Sequence, residues 1–139
     1  MDMKEILVVD GQGGRIGQSL IEEVRRRQLP LSITAIGTNA TATSVMLKAG
    51  ADRGATGENP LIVACRSARV IAGPIGILVA DAFLGEMTPA MALAVAQSSA
   101  VKLLIPMNHC NNVVVGLQNC PIAVLIGHAA DWLAGHCQA

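Results

Sequence analysis

The strongest chemical signal in the chain is a glycine-rich loop behind a short apolar run. Gly11-Gln12-Gly13-Gly14-Arg15-Ile16-Gly17 directly follows Ile6-Leu7-Val8-Val9-Asp10. Glycines therefore fall at a strand end, in the turn and one turn into a helix. There a dinucleotide-binding loop needs a tight turn, close approach of backbone to phosphate, and close helix-to-strand packing. The spacing is Gly-x-Gly-Gly-x-x-Gly, which contains Gly-x-x-Gly-x-x-Gly and departs from the strict Gly-x-Gly-x-x-Gly. Backbone N–H groups and the helix dipole at such a loop make an anion site; the alternative is a glycine turn with nothing bound.

Asp10 stands where such loops usually carry an apolar or small residue, and a carboxylate close to a diphosphate costs energy unless a cation or donors intervene. It has two readings: hydrogen bonding to the loop's own amides, or service as a ribose, Mg²⁺ or proton-transfer ligand. At the end of the second apolar run, Gly37-Thr38-Asn39 replaces the acidic residue that grips a ribose 2′-hydroxyl in the usual NAD site. Thr38, Asn39, Thr41 and Arg15 can hydrogen-bond a ribose or a 2′-phosphate, and a polar helix cap over 38–43 is the plainer reading.

Two further segments carry unusual residues. Gly73-Pro74-Ile75-Gly76 reads as a rigid approach, poor in side chains, to the next helix. It suits a flat base, a nicotinamide or a second phosphate, with a simple strand-to-helix turn as the rival. Asn108-His109-Cys110-Asn111 packs amide donors, an imidazole and a thiol into four residues. Asn108 is expected to contact the ligand. Cys110, like Asp10, is a candidate for catalysis; as a nucleophile it would need a base or a helix N-terminus to form thiolate. No metal site is expected, because adjacent His and Cys seldom bind one ion together, and His128, His136 and Cys137 fall on the last helix or just past it.

The elements that must position these loops alternate. Residues 6–9 form the continuous apolar run of a strand buried on both faces. From Gly14 onward, Ile16, Leu20, Ile21 and Val24 share one helical face and Glu22, Glu23 and Arg25-Arg26-Arg27 the other, a solvated face, until Pro30. Strands are predicted over 31–37, 52–56, 69–72, 101–105 and 113–115. Helices are predicted over 43–49, 58–67 with Asn59 as cap, 77–84, 89–100 behind the Thr88-Pro89 cap, and 121–133. This alternation means a single doubly wound, mainly parallel α/β sheet of Rossmann-like type, read as one nucleotide-binding domain over 1–139. In such a sheet the loops after the strands meet in one crevice at the carboxyl edge.

Composition narrows the function classes. The chain has 139 residues, 52% apolar and 14% charged, with ten basic and ten acidic residues; the mean hydropathy is +0.50 and the pI near 6.8. Neutral charge, one Phe, one Trp and no Tyr argue against nucleic-acid binding, which needs a positive field and stacking platforms. The missing Tyr also excludes reductases with a Tyr-x-x-x-Lys proton donor. The stretch 70–80 is too short and too interrupted to span a membrane. The start, Met-Asp-Met-Lys-Glu, lacks the pattern of a secretory signal, so a cytoplasmic protein with Cys65, Cys110, Cys120 and Cys137 reduced is expected. Only Lys102 and Asp131, of twenty charged residues, follow Glu86. Helix 89–100 therefore lacks a polar face, and a homo-oligomer, dimer or larger, is expected to cover it.

Two resemblances follow from these residues. The loop 11–17 resembles the nucleotide loop of dihydrodipicolinate reductase, whose Gly-x-x-Gly-Arg-Met-Gly segment holds a reduced nicotinamide cofactor; this covers about ten residues. Across nearly the whole chain, Asp10-Gly11-Gln12-Gly13-Gly14, Gly37-Thr38-Asn39-Ala40, the segments 46–51 and 54–59, Gly73-Pro74-Ile75-Gly76-Ile77, Thr88-Pro89-Ala90-Met91 and 106–111 look like an uncharacterised family of small bacterial proteins, a domain of unknown function. That likeness implies a small Rossmann-like domain and brings no activity. The expected function is binding of a nucleotide or dinucleotide, NAD or NADP or another nucleotide, across Gly11–Gly17. Two alternatives are a small nicotinamide-dependent reductase completed by oligomerisation, and a non-catalytic sensor or scaffold.

Overall fold

The computed structural model describes residues 4–107, 112–117 and 119–137. Five strands, β1 (Glu5–Asp10), β2 (Ser32–Gly37), β3 (Arg53–Thr56), β4 (Val70–Pro74) and β5 (Val101–Ile105), form one sheet in the order β3-β2-β1-β4-β5. All neighbours are parallel, with β1 and β2 in register from Glu5 opposite Ser32 to Asp10 opposite Gly37. Helices α1 (Arg15–Arg26), α2 (Ala40–Ala49), α3 (Glu58–Cys65), α4 (Pro89–Gln97) and α5 (Ile122–His136) cover it.

The period of two along β1 sorts the core into two layers. Ile6 and Val8 pack with Leu20, Ile21 and Val24 of α1, Met46 of α2, and Ile126 and Leu133 of α5. Leu7 and Val9 pack on the opposite face with Leu61 of α3, Met91 and Val95 of α4, and Ile77, Phe83 and Met87 between them. The sheet is therefore doubly wound, as the alternation of the sequence requires. Among the described residues no helix is long and apolar enough to cross a membrane.

Where the sequence misleads, tertiary packing is the reason. The helix expected over 77–84 is a 3-10 turn at Ile75–Leu78 followed by a loop with left-handed backbone at Asp81, Phe83 and Leu84. Burial of Ala82, Phe83 and Met87 outweighs the short apolar run's helical spacing. The expected strand at 113–115 makes no ladder; a lone bridge precedes it at Asn112, and Val113 and Val115 are exposed. Helix α3 is entered through Gly57 at φ 103° rather than capped by Asn59, whereas Asn39 caps α2 by accepting the N–H of Ala42 at 2.9 Å. The three arginines ending α1 are not merely a solvated face. Arg25 donates to the carbonyls of Gly50 and Leu31 and to Asp52, and Arg27 clips α1 to Asp131 of α5 at 2.6 Å.

Candidate functional site

The glycine loop is built around a buried carboxylate. Asp10 ends β1 and is only 4% exposed. Its Oδ1 accepts the N–H of Gly11 and its Oδ2 the N–H of Gly17, each at 2.8 Å. Burial pushes its carboxyl above the ordinary range, against the pull of the N–H groups of Gly17, Gly11 and Ile16. Of the two readings of Asp10, hydrogen bonding to the loop's own amides is the arrangement present. It engages part of the helix's first turn with an internal carboxyl group.

Left-handed backbone at Gln12 (φ 49°) and Gly14 (φ 71°) makes the turn, and the Gly14 N–H closes it on the Gly11 carbonyl at 2.9 Å. A Cβ on Gly14 would lie 2.9 Å from the Cα of Ala42, and one on Gly17 would lie 2.5 Å from the Met46 sulfur. These two glycines seat α1 on α2. Gly13 differs: a Cβ there would meet only the Arg15 side chain, at 3.8 Å. Among the described residues, no acceptor takes up the N–H of Gly13 or of Arg15.

Both residues line a cleft of about 520 Å³ at the carboxyl edge, together with Asp10, Gly11, Gln12, Gly14, Ile16, Ser19, Pro74, Phe83, Met107 and Ile122. It lies where the strand order reverses, between β1 and β4, the position at which open α/β sheets bind ligands. Pro74 is the member of the 73–76 segment that lines it. Gly73 is pressed on β1, since a Cβ there would lie 2.2 Å from the Val9 carbonyl oxygen, and Gly76 is packed under the Phe83 ring. Ile75 and Gly76 line a neighbouring cavity of about 220 Å³ that shares Met107. Asn108 and Cys110 lie outside the described residues.

On the opposite side of the loop, a residue without any signal in the sequence holds the centre. Oε1 of Glu86 accepts the Gln12 N–H at 2.7 Å, the Thr38 hydroxyl at 2.6 Å and the Asn39 Nδ2 at 3.0 Å. Asn39 Nδ2 also donates to the Gln12 carbonyl at 2.9 Å. Burial pushes the Glu86 carboxyl up, but the hydrogen bonds from Thr38, Gln12 and Asn39 outweigh it and hold the group below its ordinary value. Thr38 and Asn39 are thereby joined to the glycine loop, as the crevice reading expects, through a carboxylate 74 residues from Gln12. No local pattern could have announced it. The loop after β3 is engaged elsewhere: Thr56 pairs with Thr43 at 2.7 Å, and Glu58 accepts the Thr88 hydroxyl at 2.5 Å.

The chain belongs to the family described as Domain of unknown function (DUF3842), whose model matches residues 5–137. The whole-chain likeness read from the motifs is thus to a real family. No curated protein matches the sequence. Among solved structures, the chain is similar to a dodecameric FMN-dependent UbiX-like decarboxylase from Escherichia coli O157:H7, at 16% identity and a TM-score of 0.44, over 93% of this chain and 75% of that one.

Proposed function

We propose that this protein binds a nucleotide in the cleft between β1 and β4, with a phosphate on the N–H groups of Gly13 and Arg15. The observation that carries the reading is that these two donors, at the head of α1, belong to residues that line the cleft and have no acceptor among the described residues. A helix N-terminus favours anions, and Arg15 brings a positive charge to the lining of the cleft. Pro74, Phe83, Met107 and Ile122 supply apolar walls for a flat base, and about 520 Å³ suits a small ligand. NAD and NADP enter among the candidate nucleotides through the resemblance of residues 11–17 to the loop of dihydrodipicolinate reductase. Whether Asp10 or Cys110 then performs chemistry separates a small reductase from a sensor.

Gly13→Asp is the discriminating variant, because its Cβ has room and its carboxylate would occupy the phosphate position. Calorimetry against AMP, ATP, NAD(H) and NADP(H) is expected to show binding that this variant weakens by about a hundredfold, or roughly 2.7 kcal/mol. No binding to the unmutated protein at millimolar concentration would overturn the reading.

Self-association is proposed alongside. Helix α4 carries no charged residue, Leu93 on it is 55% exposed, and a groove of about 600 Å³ runs between α3 and α4. Apolar surface of this kind marks interaction sites. Light scattering at micromolar concentration is expected to give a dimer or larger species; a mass of 14.3 kDa would remove this proposal.

A further inference from the structure

The segment that carries Glu86 is closed on itself. Asp81 N–H donates to the Met87 carbonyl at 2.7 Å and Met87 N–H to the Ala82 carbonyl at 3.1 Å, while Gly85 N–H reaches the Asp81 carbonyl at 3.0 Å. Three residues with side chains, Asp81, Phe83 and Leu84, take left-handed φ of 67°, 59° and 55°, a conformation that L-residues seldom adopt and that the surroundings must enforce. What enforces it is visible: the Phe83 ring is buried against Gly11 and Gly76, and the Glu86 carboxylate takes three donors. Leu84, between them, is 94% exposed.

Those donors lie at a defined place. In a doubly wound sheet a dinucleotide lays one nucleotide on each side of the first strand, with the ribose of one half gripped at the end of β2. Thr38 and Asn39 occupy the end of β2 here, and their donors, with the Gln12 N–H, are engaged by Glu86. Resting on the proposed nucleotide site, we infer that Glu86, carried on the closed segment 79–87, is a tethered plug of the second half-site. The cleft beside β4 takes a mononucleotide with the plug in place, and a dinucleotide is admitted only when Glu86 leaves Gln12, Thr38 and Asn39. The chain thereby prefers mononucleotides, and Glu86 sets that preference.

The test compares NAD with its two halves, AMP and nicotinamide mononucleotide, by calorimetry on the wild-type protein and on Glu86→Ala, with amide hydrogen exchange on the ligand-free proteins. Wild type is expected to bind NAD no more tightly than the better mononucleotide. Since apparent affinity scales with the fraction of competent molecules, a plug seated about 90% of the time means a gain of about tenfold for NAD in Glu86→Ala, with mononucleotide affinity held within about threefold. Exchange at Gln12 and across 81–87 should rise in the free variant. A mononucleotide that binds while NAD affinity is unmoved by Glu86→Ala overturns the plug and leaves the nucleotide site standing. So does a wild type that already binds NAD far more tightly than either half. Failure of all three ligands in both proteins overturns the nucleotide site and the plug together. Unchanged exchange in Glu86→Ala overturns the plug without reference to any ligand. If Glu86→Ala does not fold, Glu86→Gln, which keeps an acceptor and loses the charge, takes its place with a smaller NAD gain of about threefold expected and no gain as the overturning result.

Discussion

The two sides of the glycine loop contrast. Toward β2, the Gln12 N–H, the Thr38 hydroxyl and the Asn39 amide all converge on one oxygen of Glu86. Toward β4, the N–H groups of Gly13 and Arg15 have no acceptor among the described residues and stand at a cleft. The same few residues build both sides, so the glycine pattern alone does not decide where a ligand goes. A loop of this type supplies donors; the elements packed over it decide which remain available. Asp10 adds to this, because it engages the Gly11 and Gly17 amides, lines the cleft itself and leaves only part of the helix end for an external anion.

The contrast breaks most completely at Gly14. Its left-handed φ of 71° and the 2.9 Å approach of a Cβ to the Ala42 backbone mean that Gly14→Ala should cost about 2–4 kcal/mol, since both backbone strain and overpacking act at once. Denaturant unfolding measures this. Gly13→Asp, one residue away, should unfold at nearly the wild-type midpoint while losing nucleotide, which separates the glycine that shapes the loop from the one that faces the ligand.

Asp10→Ala is next in size. It leaves the buried N–H groups of Gly11 and Gly17 without their acceptor, a loss of about 2 kcal/mol after allowance for the relief of a buried charge. The effect should depend on pH with a definite sign. Burial raises the Asp10 carboxyl in the folded protein, so the folded state binds the proton more tightly than the unfolded chain. The stability linked to that proton is fully present below the unfolded carboxyl's ordinary value and is lost as pH rises through the raised one. Unfolding of wild type and variant compared from about pH 3.5 to pH 8 should therefore show the gap narrowing as the pH rises. A gap that widens toward pH 8 would mean that the Asp10 carboxylate is stabilised in the fold as an anion.

Much of the architecture was legible because it rests on periodicity. The apolar run of β1 could be covered on both faces only by helices on both sides, and the stripe of Leu20, Ile21 and Val24 fixed which face of α1 turns inward. Asp10's reading as an acceptor for its own loop was also available from its position next to the glycines. The helix expected over 77–84 failed for the opposite reason: eight residues of apolar spacing are equally compatible with a loop whose alternate side chains are buried, and Phe83 and Met87 chose that.

The sequence by itself determined the parallel α/β alternation, the position of the glycine loop at a strand end, and hence that donors would gather at the carboxyl edge. These follow from nearest-neighbour chemistry: side-chain period, turn-compatible glycines and caps such as Thr88-Pro89. Only the tertiary structure decided that Glu86 would take up the donors of Gln12, Thr38 and Asn39 at the end of β2, and that the β4 side would keep its donors. That decision depends on contacts 47 and 74 residues apart in the chain, and on left-handed backbone at Phe83 and Leu84 that no local preference favours. Long-range burial of Phe83 sets it, and burial is a property of the folded surroundings rather than of the segment.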